Sequence, residues 1–277
     1  MRLALFDANR LGIIDETHSR IADATDILPE HSDGLGAGFW VRLCRDFEEL
    51  QPRLREFAES ASFRPLSEVT LRAPALNPTK VVAAAGNYTA HIEEMLGPEV
   101  DDWRSQFDVF LKAPSSITGP GEVTLPDVEG EIHYECELAF VIGKQGSKIP
   151  EAEALQYVRG WTILLDITLR GMGDRSRRKS YDGFTPIGPW LTLSEEVPAW
   201  QDLEIDMKLN GAARQQVRAG DMIVPVPEII QRVSAVMTLF PGDVISTGSP
   251  PGVGRIQRGD RIDANISGLG ALEVTIA

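Results

Sequence analysis

Short runs of alternating apolar and polar residues fill most of the chain after residue 105, and this two-residue period predicts β-strands. Helical spacing of apolar residues is rarer there, and the clearest predicted helix covers residues 226–239. The regular strand–helix alternation of a doubly wound sheet is missing. We therefore predict a mostly β, curled or sandwich-like unit. Its strand-like runs are DVFLK, HYECELAFVIG, GWTILLDITL, GPWLTL, LEIDMKLNG, DVISTG and LEVTI.

The N-terminal part of the chain has a different pattern, which indicates a small α+β unit. RLALF near the start predicts a strand, and residues 38–60 predict a helix that is interrupted or restarted near Pro52. The segment 72–80 contains two prolines and no clear periodicity, so we place a boundary there. The predicted organisation is a small N-terminal domain over residues 1–75 and a larger domain over residues 76–277, in an α+β, mostly β fold class.

Composition narrows the class of protein. The chain has 277 residues, of which 43% are apolar and 25% charged, as in ordinary globular proteins. No apolar run approaches the roughly 18 residues that suggest a membrane span, and the apolar block at the start is short for a secretory leader. We expect a cytoplasmic protein without a membrane partner. The net charge of −14 argues against a nucleic-acid partner, since phosphates require a basic surface.

Two local features qualify this picture. The basic run RSRRK, Arg175 to Lys179, is either a solvated loop or a local site for a small anion. Cys44 lies on an apolar stripe with helical spacing, and Cys136 alternates with apolar neighbours on a predicted strand. We interpret both cysteines as buried core thiols and predict neither a disulfide nor a cysteine metal site.

Two glutamates interrupt an otherwise apolar strand. In YECELAF, Glu135 and Glu137 point to the same face of the strand and are about 7 Å apart along it. Unpaired like charges beside a core are costly, and a hard divalent cation would neutralise them. Oxygen ligands favour Mg²⁺ or Mn²⁺, with Ca²⁺ possible in a crystal. The alternative, a solvated strand face, stays open for the pair alone.

A third carboxylate strengthens the metal hypothesis. Asp166 follows three apolar residues in WTILLDITLR, where a buried aspartate needs a partner. A metal ion shared with Glu135 and Glu137 would be that partner, whereas a strand-end turn is the alternative for Asp166 alone.

Several motifs together resemble the fumarylacetoacetate hydrolase family. They occur in the family's order over about residues 80–277, and the N-terminal segment resembles the small extra domain of many bacterial members. The resemblance implies a mixed β-sheet roll, usually in a homodimer, with Mg²⁺ or Mn²⁺ on Glu135, Glu137 and Asp166. The motifs are GNYTAHIEEM, FLKAPSSITGPG, YECELAFVIGK, LDITLRG, KSYDGFTPIGPW, NGAARQ and LFPGDVISTGSPPGVG.

His91 and Glu94 are three residues apart on a predicted helix and share one face. His91 is therefore a candidate general base that Glu94 orients, which is the role the resemblance implies, and a surface pair is the alternative. The resemblance also implies that Lys179 stabilises negative charge on the substrate.

Further substrate contacts follow from the same resemblance. It implies that Arg170 and Thr247 hold the substrate carboxylate, as a bidentate guanidinium would do for Arg170. Tyr88 and Ser116 are candidates for lining the pocket.

The sequence departs from the family pattern at one important place. Many members have an aspartate and a glutamine where this chain has Gly171 and Gly173, and that glutamine commonly helps to hold the attacking water or the oxyanion. We hypothesise that Arg175 or Arg177 takes part of this role. The usual TGTP motif is TGSP here, a mild change at Ser249.

The predicted activity is that of a metal-dependent hydrolase. It would cleave a C–C bond in a 2,4-dioxo acid, such as fumarylpyruvate or maleylpyruvate, to give pyruvate and a second acid. The substrate is a small 2-oxo acid, and such acids arise in aromatic ring degradation. One alternative is a lyase or isomerase on the same metal site, acting as an oxaloacetate decarboxylase or on a ring-cleavage product. Another is a catalytically inactive metal-binding dimer.

Overall fold

The structure is a computed structural model that describes residues 1–28, 38–97 and 102–277. Within these ranges, helices that combine the length and the apolar character needed to cross a membrane are absent. The α-helices are α1 (Gly38–Arg45), α2 (Phe47–Ser60), α3 (Thr89–Leu96), α4 (Trp103–Gln106), α5 (Arg175–Arg178) and α6 (Val226–Val236).

Strands make up most of the regular structure in the described ranges, and short 3₁₀ turns join several of them. In chain order they are β1 (Arg2–Phe6), β2 (Arg10–Ile14), β3 (Arg20–Asp23), β4 (Arg64–Pro65), β5 (Leu71–Arg72), β6 (Val81–Ala84), β7 (Val109–Lys112), β8 (Ile117–Thr118), β9 (Gly121–Val123), β10 (Ile132–Tyr134), β11 (Cys136–Ile142), β12 (Val158–Leu165), β13 (Thr168–Leu169), β14 (Thr185–Leu193), β15 (Glu204–Leu209), β16 (Ala212–Arg218), β17 (Val244–Ser246), β18 (Gly254–Arg255), β19 (Arg261–Ile266) and β20 (Gly270–Ile276).

These strands form three mixed or antiparallel sheets. The largest has 12 strands in the order β4-β3-β2-β1-β14-β12-β11-β17-β6-β7, with β5 beside β1 and β8 beside β14. Its β17–β6 and β14–β8 pairs are parallel, while β11 and β12 are antiparallel. A second sheet has the order β16-β15-β19-β20-β9, and a small third sheet has the order β13-β10-β18. The expected mostly β, mixed-sheet fold is confirmed.

Strand β11 lies between β12 and β17 and is buried on both faces. Leu138, Phe140 and Ile142 point into the larger of two main hydrophobic clusters, and Ala139 and Val141 point into the smaller one. This alternation is the one that the sequence pattern predicted. It also explains why Glu137 is the one charged residue in β11.

The N-terminal segment joins the large sheet directly. Strand β1 pairs with β14 and places Leu3 opposite Leu191, and Trp40 from α1 packs in the same cluster as Leu191. The described N-terminal elements therefore share a sheet and a core with the rest of the chain. A boundary near residue 75 stays a prediction. Cys44 and Cys136 are both free and buried, as expected.

The predicted helix interruption near Pro52 is wrong. The helical structure is interrupted at Asp46, between α1 and α2, and Pro52 lies inside α2. Proline costs this helix the hydrogen bond to the Glu48 carbonyl. Buried Phe47 and Leu54 lie on either side of Pro52 along α2, so tertiary packing holds the helix through it.

The shared core leads to a stability prediction. Leu191→Ala should lower the free energy of unfolding by about 2–5 kcal/mol, because Leu191 is 1% exposed and its loss leaves a cavity in the cluster that contains Leu3 and Trp40. Urea titration followed by circular dichroism and tryptophan fluorescence measures this change. Leu155→Ala, at a 44% exposed position, is the control and should change stability by less than about 0.5 kcal/mol. Two separate wild-type transitions would contradict a shared core.

Candidate metal centre and active site

Glu135 and Asp166 lie at a kink shared by two neighbouring strands. Glu135 is the residue between β10 and β11, and Asp166 directly follows β12. At this point both strands leave the 12-stranded sheet and continue in the small third sheet. Across the kink, the Asp166 amide donates a hydrogen bond of 2.8 Å to the Glu135 carbonyl oxygen. The backbone thus brings these two residues together.

Glu137, the second residue of β11, completes a group of three carboxylates. One carboxylate oxygen from each of Glu135, Glu137 and Asp166 lies within 4.8 Å of the others. The three residues are 5%, 1% and 0% exposed. Carboxylates that are this close and this buried repel one another and lack water, so the cluster requires positive charge.

Glu137 is the least compensated of the three. Its Oε2 accepts hydrogen bonds from the Ser246 hydroxyl and from the Gly248 amide, the latter at 2.9 Å. Its Oε1 is buried and has no hydrogen-bond partner. Burial, followed by repulsion from Asp166 and Glu135, raises the pKa of Glu137 to about 8. An unpartnered carboxylate oxygen aimed into an acidic cluster suits a metal ligand.

Two lysines neutralise the other carboxylates. Lys179 donates to Glu135 Oε2 at 2.8 Å and also to Asp166 Oδ2. Lys112 is fully buried and donates to Asp166 Oδ1 and, at 2.9 Å, to the Phe184 carbonyl oxygen. Burial alone would raise the pKa of Asp166, but the charges of Lys112 and Lys179 outweigh it and hold that pKa below its ordinary value.

Lys112 was missed by the sequence reasoning. It ends β7, where Leu111 is 44% exposed while Phe110 and Lys112 are buried, so the usual pattern of polar and apolar faces is inverted. The sequence signal was its position in FLKAPSS, one of the stretches that carried the family resemblance. Strand alternation would have placed Lys112 on the same face as Phe110.

Helix α3 carries His91 and Glu94 beside this cluster. His91 is buried, and its Nδ1 lies 3.5 Å from Glu94 Oε2, longer than a good hydrogen bond. Burial lowers the pKa of His91, while the nearby Glu135 and Glu94 act in the opposite direction. The Glu94 carboxylate also accepts from the Gly252 amide at 3.0 and 3.1 Å, which ties α3 to the loop after β17.

The predicted substrate contacts fall into two groups. Arg170 Nη2 lies 3.1 Å from Glu135 Oε1, and the buried Tyr88 hydroxyl has no hydrogen-bond partner. Burial and the Glu137 charge raise the pKa of Tyr88. These two side chains border the acidic cluster, and each has polar groups that a ligand could contact.

The other two have hydroxyl groups that are engaged in the fold. Thr247 donates to the Leu138 carbonyl oxygen at 2.8 Å. Ser116 lies 2.7 Å from the Ala113 carbonyl oxygen and 2.6 Å from the Thr185 hydroxyl. A role of Thr247 or Ser116 in substrate binding stays a prediction, and it would use the remaining lone pairs of these oxygens.

The donor set fits a hard divalent cation. Three carboxylates offer oxygen ligands, the kind that Mg²⁺ and Mn²⁺ prefer, and the unpartnered Glu137 Oε1 is available to one. Glu135, Glu137 and Asp166 would hold the ion.

Sequence comparisons identify a family profile and individual proteins that are similar to this chain. The family profile described as fumarylacetoacetate (FAA) hydrolase C-terminal matches residues 80–277. A maleylpyruvate hydrolase of Aquipseudomonas alcaligenes is 35% identical, with 100% of this chain and 99% of that protein covered. An uncharacterised protein of Pyrococcus horikoshii is 43% identical over 73% of this chain and 89% of its own length.

Solved structures of similar proteins match nearly the whole chain. The crystal structure of maleylpyruvate hydrolase from Sphingobium sp. SYK-6, in complex with manganese(II) and pyruvate, has a TM-score of 0.89 and 36% identity, covering 100% of this chain and 99% of that one. A probable 2-hydroxyhepta-2,4-diene-1,7-dioate isomerase from Mycobacterium abscessus has a TM-score of 0.82 and 28% identity, covering 99% and 97% of the two chains.

The geometry leads to a metal-binding prediction. Glu137→Gln keeps the side-chain size but removes the charge, so it should weaken Mn²⁺ binding by at least about 100-fold, beyond the usual effect of changing a residue that only supports a ligand. Isothermal titration calorimetry measures the affinity, and circular dichroism checks the fold. Glu131→Gln, at a side chain 59% exposed, is the matched control and should bind Mn²⁺ like the wild type. Equal affinity in both variants would refute the assignment.

Proposed function

Because this chain belongs to the fumarylacetoacetate hydrolase family, we propose that it is a metal-dependent hydrolase that cleaves a C–C bond in a 2,4-dioxo acid. Its substrate class is the acylpyruvates, such as maleylpyruvate or fumarylpyruvate, and its products are pyruvate and a second acid. The observation that carries this proposal is the buried carboxylate cluster with an unpartnered oxygen on Glu137. It occurs in a chain similar over its whole length to a maleylpyruvate hydrolase that was crystallised with manganese and pyruvate.

A bound Mg²⁺ or Mn²⁺ ion would withdraw electrons from the carboxylate and 2-oxo groups of the substrate. We assign Glu135, Glu137 and Asp166 to hold it. Arg170 and Lys179 place two positive side chains on Glu135, at the rim and in the interior of the cluster. They would bind the substrate carboxylate and the oxygen that becomes negative during cleavage, with Thr247 as a further contact.

His91 would act as the general base. Its lowered pKa keeps the imidazole neutral near pH 7, the form that accepts a proton, and Glu94 would orient the ring. His91 takes a proton from water as the water oxygen attacks C4 of the substrate. The C3–C4 bond then breaks, and its electron pair stays on C3 of the pyruvate unit. C3 takes up the proton from His91, and the ring is neutral again.

A lyase or isomerase activity on the same cluster is the second candidate. It is supported by the isomerases among the similar structures and by Gly173, which stands where many family members have a glutamine. These reactions need the same electron withdrawal but no attacking water. The presence of both His91 and Glu94 beside the cluster favours hydrolysis.

We also propose a cytoplasmic homodimer without a nucleic-acid or membrane partner. The net charge of −14 argues against binding to nucleic acid. Exposed apolar side chains such as Met172 and Val236, which are 99% and 78% exposed, are compatible with a protein interface.

Product analysis tests the proposed reaction. With Mn²⁺ or Mg²⁺, maleylpyruvate should give pyruvate, detected with lactate dehydrogenase, and equimolar maleate, detected by chromatography. Glu137→Gln should abolish turnover, and Glu131→Gln should not. Carbon dioxide from oxaloacetate, or a tautomer without pyruvate, would point to the second candidate.

The pH dependence of the reaction tests the role of His91. At saturating Mn²⁺, kcat/KM should be constant above the ordinary histidine pKa of 6.5, because burial lowers the pKa of His91 and the neutral ring is the active form. Below the lowered pKa, the rate should fall about tenfold per pH unit.

Glu94→Gln provides the matched comparison. It removes a group that raises the His91 pKa, so the acidic decline should move to lower pH. A decline that begins above pH 6.5 would argue against His91 as the base, and so would a decline at the same pH in the wild type and in Glu94→Gln.

A further inference from the structure

The basic run at α5 is unused by the proposed chemistry, apart from Lys179 at its end. We propose that Arg175 binds the far carboxylate of the substrate and so makes the enzyme selective for acylpyruvates whose acyl group ends in a carboxylate. This inference rests on the proposed function and adds a specificity-determining residue to it.

Arg175 and Lys179 lie against the same aromatic ring. The Arg175 Cζ is 5.5 Å from the centroid of Phe110, and the Lys179 Nζ is 4.9 Å from it. The two positive groups are therefore no more than about 10.4 Å apart. Their spacing of four residues, across α5 and its C-cap, puts both on one side of the helix.

This upper limit places both groups within the reach of a diacid substrate. Lys179 contacts two of the three carboxylates, so it marks the position of the 2-oxo acid end. An extended chain of seven carbons spans about 7 Å between its end carbons. A hydrogen bond at each end adds about 3 Å. The extended reach of about 13 Å exceeds the limit of about 10.4 Å, so a bent chain, such as one with a cis double bond, would contact both groups.

The neighbouring arginines are less suited to this role. Arg178 donates to the Leu169 carbonyl oxygen at 3.0 Å and to the Gly173 carbonyl oxygen at 3.4 Å, so it holds the loop. In the described part of the chain, the ion pair recorded for Arg175 is with Asp108 at 4.0 Å, and that carboxylate is 75% exposed. Such a pair is weak, so a substrate carboxylate with bidentate geometry would replace it readily.

The loop before α5 carries no side chain at the two positions where many family members have an aspartate and a glutamine. A Cβ atom at Gly171 or Gly173 would meet nothing within 4 Å. Both glycines have positive φ, 132° and 108°, where L side chains are rarely found. The glutamine side chain that many family members carry at this place is thus absent, and Arg175 follows two residues later in the chain.

The sequence suggested a different role, in which Arg175 or Arg177 stabilises the oxyanion. The two roles differ in what they predict for substrates. An oxyanion contact serves every acylpyruvate equally and acts mainly on kcat. A contact to the far carboxylate serves only diacids.

The test compares a diacid with a monoacid substrate. For the wild type and for Arg175→Gln, kcat/KM is measured with maleylpyruvate and with acetylpyruvate at saturating Mn²⁺. The ratio of the two values, diacid over monoacid, should fall at least about 10-fold in Arg175→Gln, because a charge-assisted contact is lost for one substrate only. Arg175→Lys should recover part of the ratio, because it keeps the charge without the bidentate fork.

Arg177→Gln is the matched control. It removes the same charge two residues away, from a side chain that lies on an exposed part of α5, and should leave the ratio unchanged. An unchanged ratio in Arg175→Gln, or an equal loss with both substrates, would overturn the inference while the hydrolase proposal stands. A wild type that releases pyruvate from neither substrate would overturn the proposed function and this inference with it.

Discussion

The structure depends on compensating the electrostatic cost of burying three carboxylates close together. Glu135, Glu137 and Asp166 are nearly inaccessible to water, and like charges at such distances cannot stay ionised without compensation. Lys112 and Lys179 compensate Asp166 and one oxygen of Glu135, while Glu137 Oε1 has no partner. With Arg170 beside Glu135, these two lysines equal the three carboxylates in number of charges. Adding a divalent ion would leave the centre positive, which suits a small anionic substrate.

The fold creates this cluster with a single bend. Two adjacent strands leave the large sheet together, and the bend places Glu135 on one and Asp166 on the other, joined by a backbone hydrogen bond. Glu137 lies just inside the large sheet, where both faces of β11 are covered by core. The rigidity of the sheet therefore holds the three carboxylates in place, which a loop of similar sequence would hold less firmly.

The sequence predicted much of this arrangement, because strand alternation is a strict geometric rule. It placed Glu135 and Glu137 on one face and Leu138, Phe140 and Ile142 on the other. It missed the change of sheet at Glu135, since an extended backbone has the same period in either sheet. It also missed Lys112, whose burial depends on the distant Asp166, and it put the helix break at Pro52 because tertiary packing through α2 is invisible locally.

The segment between Asp166 and Lys179 would separate the residues of the proposed chemistry from the residue of the proposed selectivity. Its two ends are buried and joined to each other, so a substitution there would disturb the charge balance of the whole centre. Its middle is exposed: Met172 is 99% exposed, and a Cβ atom at either flanking glycine would meet nothing within 4 Å. Changes at Met172 thus carry little structural cost, whereas the positive φ of the two glycines disfavours other residues there. A family with one metal centre can therefore acquire new acyl preferences here, by placing or removing a group such as Arg175, without altering the residues proposed to break the C–C bond.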